Sequence, residues 1–137
     1  MVYEHRLRVR YAETDQMGVV HHASYVVYVE EARTRWLATL GCSYADLERR
    51  GCGLAVRKLE ARYWQAACFE DELSVLCRVV GVRGASVTFG YEVQRLPGRE
   101  RIFTGATELA SVDLRDRPPR PTPLPDELRA LLAGLVA

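Results

Sequence analysis

The chain has no asparagine and only one lysine, Lys58, among its 137 residues. Its basic side is therefore almost all arginine, and 19 basic against 18 acidic residues leave a net charge of +1. No polycationic surface follows, which excludes nucleic-acid binding by bulk electrostatics. No apolar run reaches the ~18 residues that span a bilayer. Charges fall on alternate residues from Glu4 to Arg10, so no signal peptide is read there. The expectation is a soluble, cytoplasmic protein. The cysteines Cys42, Cys52, Cys68 and Cys77 form no CxxC pair, which excludes the usual zinc patterns and reads as reduced thiols. Also absent are a G-x-S-x-G elbow, a Walker A sequence, a dinucleotide fingerprint and H-E-x-x-H.

What is present suits one domain spanning residues 1–137, with 48% apolar residues to build its core. Tyr3 to Tyr11 alternates apolar and polar residues and predicts a strand. A polar loop, Ala12 to His21, follows. Ala23 to Leu40 has helical spacing, with Val26, Val29, Trp36, Leu37 and Leu40 near one stripe and Gly41 as its stop. The apolar run Tyr25 to Val29 predicts burial on most sides of its first half. Ser43 to Arg50 reads as a short helix capped by Ser43.

The period then changes to two. Strands are predicted over Leu54–Gln65, Glu72–Val82, Val87–Gln94 and Arg101–Leu114, with turns at Arg83-Gly84-Ala85 and Pro97-Gly98-Arg99. Five of the six prolines lie between Arg117 and Pro125, a stiff connector, before a short terminal helix over Asp126–Leu135. One apolar helix and an antiparallel sheet with one face to bury are best satisfied when the sheet wraps the helix, an α+β arrangement. The outer face would still expose Tyr63 or Trp64, which suggests oligomerisation.

The informative stretch is Val9 to Arg33. Tyr11, Thr14, Asp15, Gly18, Val20, His22, Tyr25, Glu30 and Arg33 fall in register with Y-x-D-T-D-x-x-G-x-V-Y-H-x-x-Y followed by E-x-x-R. The chain thereby resembles the hotdog-fold acyl-CoA thioesterases of the 4-hydroxybenzoyl-CoA thioesterase family, in particular the branch associated with the bacterial Tol-Pal system. The resemblance continues through Val56-Arg57-Lys58, Tyr63, Asp71-Glu72 and Arg83-Gly84. Glu13 replaces the first Asp of D-T-D and His21 replaces the usual Tyr.

The resemblance implies a hotdog fold, an antiparallel sheet of about five strands wrapped around one long central helix, and hydrolysis of an acyl-CoA thioester. Asp15 is the implied catalytic carboxylate. An ordinary Asp, with a pKa of ~3.9, is ionised at neutral pH and either activates water or attacks the carbonyl itself. Amides at the helix start near His22 and Ala23 are placed to hold the thioester oxygen, and Gly18 to let the backbone turn. Tyr25 and Leu54-Ala55-Val56 are implied to line the acyl and pantetheine path, with Arg57, Lys58 and the turn Arg83-Gly84-Ala85 toward the CoA phosphates. Glu30 is expected to form a structural ion pair with Arg33, inside the subunit or across its interface, and Glu31 is placed to pair with Arg35. No metal or cofactor is implied, since coenzyme A belongs to the substrate. The implied partner is a second copy sharing the active sites, in a homotetramer, without nucleic acid or membrane insertion. Two other readings stay open. One is a hotdog hydratase or dehydratase using His22 with Glu30. The other is a non-catalytic module binding acyl-CoA or acyl-carrier protein.

Overall fold

A computed structural model describes residues 1–136. The elements run β1 (Val2–Arg8), a 3-10 turn (Tyr11–Glu13), α1 (Ser24–Thr39), α2 (Tyr44–Arg49), β2 (Cys52–Tyr63), β3 (Glu72–Val82), β4 (Ser86–Arg95), β5 (Glu100–Asp113), β6 (Arg120–Pro121) and α3 (Asp126–Ala133). One antiparallel sheet has the order β1-β3-β4-β5-β2, and the two-residue β6 pairs with the close of β5. β1 and β2 are thus the edges. The four predicted later strands are all present, within two residues of their expected ends. β1 is shorter than expected because the Val9 N–H leaves the strand for the Asp71 carbonyl (2.9 Å) and Tyr11 begins the 3-10 turn.

The sheet curls around α1. Val87, Phe89, Tyr91 and Val93, the cleanest face in the sequence, are buried beneath the helix, as are Tyr25, Tyr28, Val29, Ala32, Trp36 and Leu37 from α1. Trp36 stacks on Tyr3 of one edge strand (5.9 Å) and meets Phe89 edge-on (6.3 Å). At the other end of the helix Tyr25 stacks on Phe103 (5.4 Å). The long helix therefore spans the concave face from β5 to β1, and truncating Trp36 to Ala would cost about 3–5 kcal/mol. Gly41, at φ +81°, ends the helix where only glycine turns freely. Ser43 caps α2 as expected, its Oγ accepting the Asp46 N–H (3.1 Å).

Two expectations about α1 are corrected. Its first half is not buried on most sides: Val27 is 58% exposed, because the sheet covers only the Tyr25–Tyr28–Val29 side. Glu30 and Arg33 do not pair within the chain. Arg33 is 3% exposed and points inward, donating to the Tyr44 hydroxyl (2.7 Å), the Tyr91 hydroxyl (2.9 Å) and Thr107 Oγ1 (3.4 Å), while Glu30 stays in solvent. Three hydroxyls satisfy the guanidinium without a carboxylate. The expected Glu31–Arg35 pair forms at 3.1 Å.

α3 buries Leu128 and Leu132, and Glu127 of α3 meets Arg50 at the end of α2 (2.8 Å). The proline-rich connector is tied to the sheet by Thr122 N–H to the Ser111 carbonyl and Leu124 N–H to the Gly84 carbonyl (both 2.9 Å). Among the described residues no helix is long and apolar enough to cross a membrane.

Candidate active site

The segment read as a plain loop is a small hairpin. Thr14 and Val20 face each other in an antiparallel bridge, and Gly18, at φ +82°, makes the turn. Asp15 holds the turn through its backbone: its N–H donates to the Val19 carbonyl (2.8 Å) and its carbonyl accepts the Gly18 N–H (2.9 Å). Oδ1 of Asp15 accepts the Met17 N–H (2.9 Å), and Oδ2 has no hydrogen-bond partner among the described residues. The half-buried carboxylate thus has one oxygen committed to the turn and one free for chemistry. Asp15 and Gly18 are brought together as the motif requires.

Glu13 fastens this hairpin to α1. Its carbonyl accepts the His21 N–H (2.8 Å) and the Ser24 hydroxyl (3.2 Å). Its carboxylate accepts the Tyr28 hydroxyl (2.9 Å), the Arg10 N–H (2.8 Å) and the Arg10 Nε–H (3.0 Å). Burial pushes the Glu13 carboxyl up, but these donors outweigh it and hold the pKa below the ordinary value. Tyr28 is pushed up in turn, by burial first and then by the adjacent carboxylate. The sequence marked Glu13 only as a departure from D-T-D. Its anchoring role shows in the fold alone, because Tyr28 lies fifteen residues away.

His22 stands at the opening of α1. Its ring is exposed and lies 4.3 Å from that of His21. Its carbonyl accepts the Tyr63 hydroxyl (2.8 Å), and its N–H has no partner among the described residues. The next amide, of Ala23, is already taken by His21 Nδ1 (3.2 Å). His22 therefore offers a free donor at the positive end of the helix. Beside it lies a cavity of about 340 Å³ lined by Val20, His22, Tyr25, Tyr63, Trp64 and Ala66. Tyr25 forms its buried wall, with the hydroxyl held by the Ala67 N–H (3.3 Å). Tyr63 turns inward against Tyr25 (5.5 Å), and Trp64 faces the opposite way, beneath the Arg62 guanidinium (4.0 Å).

The remaining expected residues lie elsewhere. Leu54 and Ala55 line a second cavity, about 500 Å³, between α2 and the start of β2. Val56 is 50% exposed on the strand edge. Arg57 sits where β2 bulges against β5 and pairs with Glu108 (2.8 Å). Lys58, opposite Glu108 in the register, pairs with Glu60 (3.3 Å). The Glu108 carboxyl is held below its ordinary value by the Arg57 hydrogen bond, with the charges of Arg57, Arg83 and Lys58 adding to it. Those three cations therefore share one neighbourhood. Arg83 and Gly84 are exposed; the carbonyls of Gly84 and Ala85 are taken by the N–H groups of Leu124 and Ser111. Among the described residues no three of His, Cys, Asp and Glu gather as metal ligands would.

Two groups result. His22 and Tyr25 meet Tyr63, the last residue of β2, and the hairpin of Asp15 and Gly18 is fastened to the same start of α1 through Glu13. Leu54 to Lys58 occupy the first half of β2. At about 3.3 Å per residue, Tyr63 lies ~30 Å along the strand from Leu54. One chain does not bring the two groups together.

Comparison with known proteins bears directly on this arrangement. Residues 9–132 match the model of the thioesterase-like superfamily. The chain is 36% identical to the acyl-CoA thioesterase YbgC of Haemophilus influenzae over 126 residues, covering 90% of this chain and 89% of that one. It is 32% identical to the acyl-CoA thioester hydrolase YbgC of Escherichia coli O157:H7 over 124 residues, covering 90% of each. It shares its fold with a 4-hydroxybenzoyl-CoA thioesterase at a TM-score of 0.87 and 16% identity, over 96% of this chain and 99% of that one. With the helix-wrapping sheet and the Asp15 motif, these likenesses establish that the chain belongs to the thioesterase-like superfamily and is a thioester hydrolase of the hotdog fold.

Proposed function

We infer that this chain hydrolyses the thioester of an acyl-CoA to the free acid and CoA, with Asp15 as its catalytic carboxylate. The observation that carries the reading is the hairpin itself. It presents the free Oδ2 of Asp15 while Glu13 fastens the same hairpin to the start of α1, where the His22 N–H is unpaired. A thioester carbonyl polarised by that amide is open to attack, and a donor of this kind contributes about 2.7–4 kcal/mol. Asp15 supplies the oxygen either by taking a proton from water or by attacking directly and forming a mixed anhydride that water then opens. Either route adds water across the C–S bond and leaves a thiol and a carboxylic acid. Gly18 lets the turn close, and Tyr25 walls the pocket. The relatives' names support acyl-CoA as the substrate, and no metal or cofactor enters either route. Arg57, Lys58 and Arg83 are the groups for the CoA phosphates.

A second copy completes the site. β2 is an edge strand of twelve residues, exposed from Ala55 to its end, and Val56, Leu59 and Tyr63 are 50%, 45% and 46% exposed. Such an edge invites pairing with another strand. Antiparallel pairing of β2 with its own copy about Leu59 sets Tyr63 beside Ala55 of the partner subunit. The ~30 Å separation within one chain then becomes a strand spacing of ~5 Å between chains. The dimer so formed, joined into a tetramer and working in the cytoplasm, is the assembly we assign.

The test is free-thiol release from short, long and aromatic acyl-CoAs by the unaltered protein and by Asp15→Asn, blanked for the four cysteines. Turnover should fall about 10²–10⁴-fold in the variant, with acyl-CoA binding retained. Full turnover by Asp15→Asn would sink the assignment. Binding without turnover by the unaltered protein would instead favour the binding-module reading.

A further inference from the structure

We propose that Tyr44 is a specificity-determining residue. Its hydroxyl, with one lone pair held by buried Arg33, donates its remaining proton to an oxygen acceptor on the far part of the acyl group. The cavity against α2 thereby selects oxygen-bearing acyl chains over plain methylene chains. The proposal rests on the acyl-CoA thioesterase reading, with Leu54 and Ala55 on the acyl path as the sequence implies.

Arg33 is 3% exposed, and no carboxylate bonds to it. A buried cation is ordinarily paired with an anion. Here hydroxyls take that place. Nε–H donates to Tyr44 (2.7 Å), and Nη1 donates to Tyr91 (2.9 Å) and to Thr107 Oγ1 (3.4 Å). A hydroxyl that accepts from a guanidinium still carries its own proton. Tyr91 and Thr107 spend one such proton on each other, at 2.5 Å. No acceptor among the described residues takes the proton of Tyr44, and Nη2 of Arg33 finds none either. The cluster therefore holds a positive charge and more donors than acceptors. The carboxylate of Glu30, whose charge is felt at Tyr44, stays in solvent. Burial pushes the Tyr44 hydroxyl up by more than the charge and hydrogen bond of Arg33 bring it down, so it stays a donor at neutral pH.

Tyr44 also walls the cavity of about 500 Å³, together with Leu47, Leu54, Ala55, Val112 and Leu114. Those five side chains are aliphatic and accept nothing. Glu48 lines the same cavity but is exposed and makes no bond with Tyr44. While the cavity is open, solvent accepts the Tyr44 proton. A chain that fills the cavity displaces that solvent, and must replace the acceptor or leave a buried donor unpaired. A hydroxyl or a carboxylate at the chain end replaces it; a terminal methyl group does not. The charge of Arg33 behind Tyr44 strengthens the donor.

The experiment compares kcat/KM for acyl-CoAs of matched length, from hexanoyl to dodecanoyl, that end in a methyl group, a hydroxyl or a carboxylate. It is run on the unaltered protein and on Tyr44→Phe, with circular dichroism to confirm folding. At the length that reaches Tyr44, the unaltered protein should favour an oxygen-bearing ending over methyl about tenfold or more. Tyr44→Phe keeps the ring and removes the proton, and the preference should shrink to within about twofold. A merely structural role for Tyr44 would lower all endings alike and leave their ratio where it was. Turnover by the unaltered protein that is equal for the three endings, or best for methyl, would overturn the proposal whether or not the variant folds, and would leave the thioesterase reading standing. A preference that survives in folded Tyr44→Phe would overturn the assignment to Tyr44. No turnover of any acyl-CoA by the unaltered protein would overturn the thioesterase reading itself, and the Tyr44 assignment with it.

Discussion

At its first end, β2 is sheltered: Cys52 is buried, Gly53 and Leu54 are half-covered, and α2 and the close of β5 lie against them. Toward its last end the same strand is open from Ala55 to Tyr63, and its last residue is tied through the Tyr63 hydroxyl to His22. The sheltered end offers a largely apolar cavity. The open end meets His22, whose amide is free, but exposes its apolar side chains to water. On the proposed reading the two ends belong to two different sites, each completed when a second copy pairs along β2.

The largest effect comes from silencing the open end alone. Asp15→Asn should abolish thiol release while acyl-CoA still binds, as isothermal titration would read. Next, Arg33→Met attacks the sheltered end. It leaves the Tyr44, Tyr91 and Thr107 hydroxyls without their charged donor and should cost roughly 3 kcal/mol. Thermal melting should show this as a Tm lower by about 10 °C. Tyr44→Phe keeps the ring and should cost less, about 1–2 kcal/mol.

A smaller effect, about 1 kcal/mol, is expected for Glu13→Gln at the open end. The folded pKa of Glu13 lies below that of the unfolded chain, so its stabilisation is complete above the ordinary Glu range of about 4.3 and is lost as pH falls through the lower folded value. Chemical denaturation of the two proteins should differ most near neutrality and converge in acid. The smallest change belongs to Arg83→Ala, which should raise KM for CoA esters about two- to fivefold, less at high salt, and leave kcat alone. An equal effect on a thioester that lacks the nucleotide would contradict the phosphate role.

Periodicity carried most of the fold, because alternation and the 3.6-residue stripe are local: Val87 to Val93 and the Trp36–Leu37 side of α1 sit where their spacing puts them. Arg33 and Val27 depart from what local spacing implies for the opposite reason. A helix residue's surroundings come from elements far along the chain, here Tyr91 and Thr107 for Arg33. The Asp15 hairpin was visible through its motif, yet its fastening by Glu13 and Tyr28 was not, since no short pattern links residues so far apart. The cavity at α2 was half visible: Leu54 and Ala55 were expected along the substrate path, whereas Tyr44 and Leu47 carry no pattern beyond a short helix.

The shared site is tested most directly by Leu59→Glu, at the middle of the open edge, followed by sedimentation velocity and thiol release on the same samples. Two glutamates facing each other across the axis repel. The expected result is that the two-chain mass and acyl-CoA turnover disappear together, with the monomer still folded by circular dichroism. A folded monomer that keeps full turnover would contradict a site completed by the second copy.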